Sequence, residues 1–289
     1  MYPTPTPHLT DPMTNTATTL IVTGATGRTG SRVAQAAQAA GLKIRPASRA
    51  QGFSWSDPAT WADTLRGADA AYLVYPPDIG APGAGEAIGG LAEQAVALGV
   101  RRLVLLSGRG EHSARAAEDA LTSSGADWTI VRASWFNQNF SEGPMADGLR
   151  ITGDLVFPAD EVTEPFLDLA DLAEVVTRTL TEGEKYVGRA LDLSGPRLMT
   201  FRDAVAEIAR ASGRELTYTA VTSEQYAQVL TSFGLPPEEV AFLTATFASL
   251  LDGHNEFLST DDVHEVLGRA PRDFAKYARE AATEGAWKA

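Results

Sequence analysis

Along the chain, short apolar runs alternate with stretches in which apolar residues recur every three or four positions. The runs at 20–23, 44–47, 70–74, 102–106, 128–132 and 190–194 have the length and composition of buried strands. Between them, Ile88, Leu91, Ala92, Ala95 and Val96 follow helical spacing and stop before Gly99, and Ala114, Ala117 and Leu121 do the same before Gly125. Leu169, Leu172, Val175, Val176 and Leu180 make a further stripe. Strands alternating with amphipathic helices in this way predict an α/β fold, a doubly wound parallel Rossmann sheet with helices on both faces.

After about Gly195 the pattern turns mostly helical. Thr200 with Asp203, and Ser259 with Asp262, have capping-box spacing, so helices are expected to begin there. Val240, Leu243, Phe247 and Leu250/Leu251 share one helical stripe, which reads as core, while Phe242 lies off it and is a candidate pocket residue. The expected organisation is an unstructured arm rich in proline and threonine at 1–18, a nucleotide-binding Rossmann domain at 19–195, and a smaller, mostly α-helical substrate-binding region at 196–289, to which 141–167 contributes. No linker separates the parts, so the helical region should pack on the carboxyl edge of the sheet, where such folds bind ligands.

The first strand opens into Leu20–Gly30, LIVTGATGRTG. Gly24 would let the chain turn off the strand, Gly27 would let backbone approach a pyrophosphate, and Gly30 would let a helix pack closely on the sheet. Free N–H groups at that helix start then hold the anion. Three spaced glycines alone carry little weight in a chain with 26 of them, and context raises it. The next strand ends about 20 residues later, where this fingerprint puts an acidic residue for a ribose 2′-hydroxyl or an arginine for a 2′-phosphate. Ser48-Arg49 stands there. A guanidinium offers a phosphate a planar fork of donors, so the reading is NADP(H) over NAD(H); the alternative is an ordinary solvated surface arginine. Arg28 either assists the same phosphate or faces water.

Composition narrows the rest. In 289 residues with 44% apolar content there is enough material for a real core. No apolar run approaches the roughly 18 residues of a membrane helix, and the N-terminus lacks a signal-peptide pattern, so the expected location is cytoplasmic, with no membrane partner. A net charge of −13 repels a polyphosphate backbone and argues against nucleic acid. The absence of cysteine excludes disulfides, thiolate zinc sites and a cysteine nucleophile. His254 and His264 near Asp252, Glu256 and Asp261 form no recognisable ligand set, and no metal is expected.

Chemistry is expected at the carboxyl ends of the strands. Tyr72–Asp78 carries Tyr75 and Pro76 into a rigid loop bordering the cleft. Ser107 closes LVLLSGRG, placed to touch a nicotinamide ribose or a substrate, or merely ending a strand. Trp135, Phe136 and Asn139 cluster past the fifth run, suited to an apolar nicotinamide face and a small-molecule, apolar or aromatic substrate, or to a plug of the core. His112, Glu111, Asp168 and Asp171 are weaker candidates for an acid. Each also has a bland reading: a loop or helix-start residue for His112, a turn carboxylate for Asp168, and a helix N-terminal acid for Asp171.

The GATGRTG loop, Ser48-Arg49, LVLLSGRG and TIVRASWFNQNF together resemble the NmrA-like, atypical short-chain dehydrogenase/reductase family. FSWSDPATW (53–61), YLVYPPD (72–78), SWFNQNFSEG (134–143), LDGHN (251–255) and RAPRDFAKYA (269–278) are most similar to its ergot-alkaloid-biosynthesis, festuclavine synthase-like subgroup, and the likeness runs from about 19 to 287. The resemblance implies an NADPH-dependent oxidoreductase, in the fungal case reducing an iminium; the alkaloid itself is not carried over. By motif, Gly24, Thr26, Gly27, Arg28, Thr29, Gly30 and Arg49 would bind the diphosphate and 2′-phosphate. Tyr75, Pro76, Ser107, Trp135 and Phe136 would border the adenosine and nicotinamide halves.

One departure bears on mechanism. In the better-known short-chain dehydrogenases a Tyr-x-x-x-Lys pair transfers the proton, and no tyrosine here has lysine four residues on. An iminium needs no proton before accepting hydride, and a reduced quinone or activated alkene takes one from water. The expected function is hydride delivery to such an electrophile, with orientation and a dry pocket supplied by the protein. The alternative is an NmrA-like NADP(H)-sensing regulator without turnover.

Overall fold

The computed structural model describes residues 18–253, 255–258 and 262–288. From its start the chain runs through β1 (Thr19–Thr23), α1 (Arg28–Ala39), β2 (Lys43–Ala47), α2 (Trp61–Leu65), β3 (Ala70–Leu73), α3 (Ala84–Ala97), β4 (Arg102–Gly108), α4 (Arg115–Ser123) and β5 (Asp127–Ala133). It continues through α5 (Pro144–Ile151), β6 (Asp154–Phe157), β7 (Thr163–Glu164), α6 (Leu169–Thr181), α7 (Gly183–Tyr186) and β8 (Arg189–Leu193). The remainder is β9 (Met199–Thr200), α8 (Phe201–Ser212), β10 (Thr217–Ala220), α9 (Ser223–Ser232), α10 (Pro237–Leu250), α11 (Asp262–Leu267) and α12 (Phe274–Glu284).

Six strands pair in parallel in the order β2-β1-β3-β4-β5-β8. Both faces are covered, so successive side chains of each strand enter different cores and the strands read as continuous apolar runs. Leu20, Val22, Tyr72, Val104, Val131 and Leu191 meet Val33 and Ala37 of α1 and Leu172, Val175 and Val176 of α6. Ile21, Ala71, Leu73, Leu103, Leu105 and Ile130 meet Trp61, Ile88, Leu91, Ala117 and Leu121. The six expected strands and the stripes on α3, α4 and α6 fall where the pattern put them. The strand order reverses at β1, and the loops after β1, β3, β4 and β5 gather at the carboxyl edge.

A third core is aromatic. Phe140, Phe157, Phe166, Phe201, Phe274 and Trp287 are buried together with Leu149, Leu155 and Ile208. It draws on both 140–166 and the C-terminal part. Its frame is two short ladders, β6 with β10 in parallel and β7 with β9 antiparallel, too brief to leave an alternation in the sequence. The Thr200–Asp203 capping box opens α8 as expected. Phe247 of the α10 stripe joins this core, whereas Val263 and Val266 of α11 cross back to the sheet core beside α6. The expected N-terminal arm, but for Thr18, and the Ser259 cap lie outside the described residues.

The chain end is pinned by Trp287, 1% exposed, whose indole Nε1 donates to the carbonyl of Phe140 at 2.6 Å. Trp287→Ala should cost about 3–5 kcal/mol of stability, as for other large-to-small core changes, and urea unfolding followed by fluorescence or circular dichroism measures it. A loss well under 1 kcal/mol would show that α12 is not held this way.

Candidate active site

The first βα turn has the geometry that its glycines require. Gly24 adopts φ +62°, its N–H donates to Ala47 of β2 at 3.1 Å, and its carbonyl accepts from Gly27 at 2.8 Å. A Cβ at Gly30 would overlap the Gly24 carbonyl, so only glycine lets α1 sit this close to the strand end. The helix starts at Gly27 without a side-chain cap. Its first-turn N–H groups, flanked by exposed Thr26 and Arg28, therefore remain available to an anion. Beneath the loop, Thr29 approaches the hydroxyl of Tyr72, and burial pushes that phenol well above its ordinary pKa.

Two of the expected site residues meet directly: Arg28 Nη1 donates to Asn139 Oδ1 at 2.7 Å. One turn on, Arg32 pairs with Glu142 at 2.5 Å, so the segment after β5 is tied to the start of α1 by two contacts. Arg49 stands exposed at the end of β2, next to the glycine loop, with no side-chain partner among the described residues. Tyr75 lies across the same edge, its ring 5.2 Å from Trp55, and exposed Pro76 follows it. Trp55 in turn donates to the Val74 carbonyl at 3.1 Å and packs edge-on against Phe53. Its part in this wall was not expected, although it stands in the FSWSDPATW motif; only the fold turns that loop onto the end of β3.

Other expected residues have structural engagements. Ser107 is buried on the α4 side and donates to Glu118 Oε1 at 2.7 Å. Burial raises the Glu118 carboxyl, but hydrogen bonds from Arg132 and Ser107 outweigh this and hold it below the usual range. Asp168 caps α6, accepting from Ala170 N at 2.8 Å and Gln138 Nε2 at 3.2 Å. It lines a polar crevice of about 390 Å³ with Arg32, Glu142 and Tyr277. Asp171 is sealed under Arg269 and Arg272. His112 is exposed at the head of a short 3₁₀ turn. Trp135 packs into the aromatic core, 5.4 Å from Phe201 and 5.8 Å from Phe247, while Phe136 packs against the sheet core. This adjacent pair straddles the boundary between the two parts. Phe242 is half-buried on α10, where Phe247 is the ring that reaches Trp135.

The carboxyl edge also holds Glu111, a candidate acid from the sequence, and, further on, polar groups that the sequence did not single out. Burial and the neighbouring Asp78 push the Glu111 carboxyl up to about 7, against hydrogen bonds from Ser113 and the Gly80 amide. Glycines at 80 and 108 make room for it, since a Cβ at either would overlap that carboxylate. Just past β4, Arg109 is 3% exposed and donates to the carbonyls of Asn255 at 3.4 Å and Phe257 at 3.0 Å; Asn255 Nδ2 donates back to the Arg109 carbonyl at 3.2 Å. Glu164 of β7 is fully buried beside them. Burial drives its carboxyl up to about 8, against the lowering influence of Arg109 and the Asn255 amide. Among the described residues no group of three or more histidine, cysteine, aspartate or glutamate side chains is arranged to hold a metal, and no helix is long and apolar enough to cross a membrane.

A doubly wound sheet with an anion cradle at its first turn defines a dinucleotide-binding protein, and the comparisons agree. The profile of NAD(P)H-binding proteins matches residues 24–183, and that of the NmrA-like family matches residues 115–278. The chain belongs to the NmrA-like family. It is 28% identical over 287 residues to agroclavine dehydrogenase of Claviceps fusiformis, covering 91% of this chain and 96% of that one. It is 30% identical over 290 residues to (4-alkanoyl-5-oxo-2,5-dihydrofuran-3-yl)methyl phosphate reductase of Streptomyces griseus, covering 91% and 98%. The triphenylmethane reductase of Citrobacter sp., solved with NADP(H), superposes with a TM-score of 0.74 at 17% identity, covering 91% and 99%.

Glu164 makes stability depend on pH in a definite direction. With a pKa of about 8 when folded and an ordinary carboxyl value of about 4.3 when unfolded, its contribution is fully present in acid. It is lost as pH rises through this window, because only the unfolded chain ionises freely there. Between about pH 5 and about pH 9 the melting temperature of the native protein should therefore fall further than that of Glu164→Gln, which cannot titrate. Parallel curves for the two proteins would show that Glu164 ionises normally.

Proposed function

We propose that this NAD(P)H-dependent oxidoreductase uses NADPH to reduce an electron-poor small molecule, an iminium or imine, a quinone or an activated alkene, in the cleft between the carboxyl edge and the aromatic lobe. The observation that carries the reading is Arg49, an exposed guanidinium with no side-chain partner among the described residues, beside a glycine turn whose helix start has no cap. The residues present fit the dinucleotide. Gly24, Thr26, Gly27, Arg28, Thr29 and Gly30 would hold the diphosphate and Arg49 the 2′-phosphate. Trp55, Tyr75 and Pro76 would border the adenosine half, and Trp135 and Phe136 the nicotinamide. When bound, the cofactor supplies the hydride.

What the chain itself contributes is position and exclusion of water. The Arg28–Asn139 and Arg32–Glu142 contacts tie the loop that presents Trp135 and Phe136 to the cradle, and a group held rigidly in this way loses little entropy when it orients a reactant. With no Tyr-x-x-x-Lys pair in the sequence and the Ser107 hydroxyl engaged by Glu118, a substrate that is already electrophilic suits the site. The relatives' names support that class. The Streptomyces substrate name describes a ring alkene conjugated to carbonyl groups.

NADPH oxidation against a panel of iminium, quinone, enone and nitro compounds, beside NADPH and NADH titrations, tests the reading. Tight NADPH binding without turnover on any class would point to a cofactor-sensing regulator. Arg49→Ala should weaken NADPH by about 10–100-fold, the equivalent of a charged hydrogen bond, and leave NADH nearly unchanged. Equal loss for both would remove the 2′-phosphate assignment.

A further inference from the structure

Arg109, Glu164 and Asn255 come from the end of β4, from β7 and from the segment after α10, and they converge at the carboxyl edge between the sheet and the aromatic lobe. Their environment is costly. Among the described residues, the Arg109 guanidinium donates to two main-chain carbonyls and lies over the face of Phe257, whose ring centroid is 4.1 Å away. Among the described residues, Arg109 Nε, both carboxyl oxygens of Glu164 and Asn255 Oδ1 have no hydrogen-bond partner of normal geometry. Buried polar atoms left without partners each oppose folding, and a cluster of four at a ligand-binding edge is more than a structural role explains. The layer over them is thin: Phe257 is 56% exposed and Leu258 48% exposed.

We propose that Arg109, Glu164 and Asn255 form an oxyanion-binding site for a flat conjugated carbonyl substrate, a quinone or enone-type acceptor, whose π system takes the place that the Phe257 ring occupies on the guanidinium. A guanidinium plane stacks on aromatic surfaces and offers donors to an oxygen at the edge of the same ring, while Asn255, whose Nδ2 donates to the Arg109 carbonyl, holds the backbone of that arginine in place. As a reaction site this rests on the reductase reading above. It assigns these residues to those acceptors in that reading that develop negative charge on oxygen, and leaves iminium acceptors independent of them. Asp192 lies within electrostatic range of Arg109 and is 3.8 Å from Arg132, which partly offsets its charge; Glu256 is occupied by the Thr163 amide at 3.0 Å.

With NADPH as the hydride donor, oxidised to NADP+, the step balances. Hydride added to the carbon β to the carbonyl forms a C–H bond, the alkene pair shifts to the adjoining carbon–carbon bond, and the carbonyl π pair moves onto oxygen. Arg109 stabilises that oxyanion. The O–H bond of protonated Glu164 breaks as its proton passes to the oxygen, giving an enol that tautomerises in water, and Glu164 is reprotonated from solvent. The carboxyl value of about 8 keeps Glu164 in the donating form at neutral pH.

A titration without cofactor tests the site: 4-nitrophenolate, a flat oxyanion, is added to the full-length protein and followed by its absorbance. Binding of the anion is expected, about tenfold tighter in Phe257→Ala, because the internal competitor is gone, and at least about tenfold weaker in Arg109→Gln. NADPH affinity should be unchanged in both variants, which also reports that they fold. Phe257→Ala binding no tighter than the native protein would overturn the proposal, and the exposed position of Phe257 keeps this arm informative if the Arg109 variant fails to fold. In turnover, Glu164→Gln should lower kcat for enones and quinones with little change in KM, and should spare iminium acceptors. Equal loss for iminium acceptors would also overturn it. Phenolate binding with no turnover on any acceptor would instead remove the reductase reading and leave the site standing.

Discussion

The close approach of α1 to the end of β1, possible because Gly30 has no side chain to meet the Gly24 carbonyl, is the constraint on which the remaining site geometry rests. It sets the uncapped helix start against the strand edge and brings Arg28 and Arg32 within reach of Asn139 and Glu142. That bridge in turn fixes the segment after β5, which places Trp135 in one core and Phe136 in the other. A methyl group at residue 30 would therefore do more than loosen one helix. It would shift the cradle and the pocket wall relative to each other.

Polar chemistry at the carboxyl edge divides into settled and unsettled groups. Glu118 is bonded by Ser107, Arg132 and Arg115, and Asp171 by Arg269 and the Arg272 amide; such carboxylates brace the fold. Glu164 and Arg109 have no comparable set of partners, and their burial acts against the charged form of each. The difference lies in packing. The first group sits where helices press on the sheet and donors are plentiful, the second where the sheet gives way to the aromatic lobe and, among the described residues, the short 255–258 segment lies against it.

The lobe itself is unusual material for a binding region. Its core is a mesh of edge-on and tilted rings, Phe157 with Phe201 at 4.9 Å and Phe140 with Phe274 at 5.4 Å, which holds shape with little regular sheet. In the proposed reading, rigid rings at the back of the cleft would let a small molecule be held without ordering many flexible side chains.

The strands, the helices against them, the glycine turn and the position of Arg49 just past β2 were legible in the sequence by itself, because each depends on local chemistry: periodicity, a backbone angle that only glycine adopts easily, or a fixed offset from a motif. The NmrA-like resemblance was legible for the same reason, since it rests on contiguous segments. Tertiary structure alone decided what depends on distant residues meeting. It turned Ser107 toward Glu118, made Asp168 a helix cap, set Trp55 on Tyr75, and brought Arg109, Glu164 and Asn255 together from places 55 and 91 residues apart in the sequence. A carboxylate looks the same in a sequence whether it will be bonded, capped or left buried without partners. Its surroundings exist only once the chain has folded.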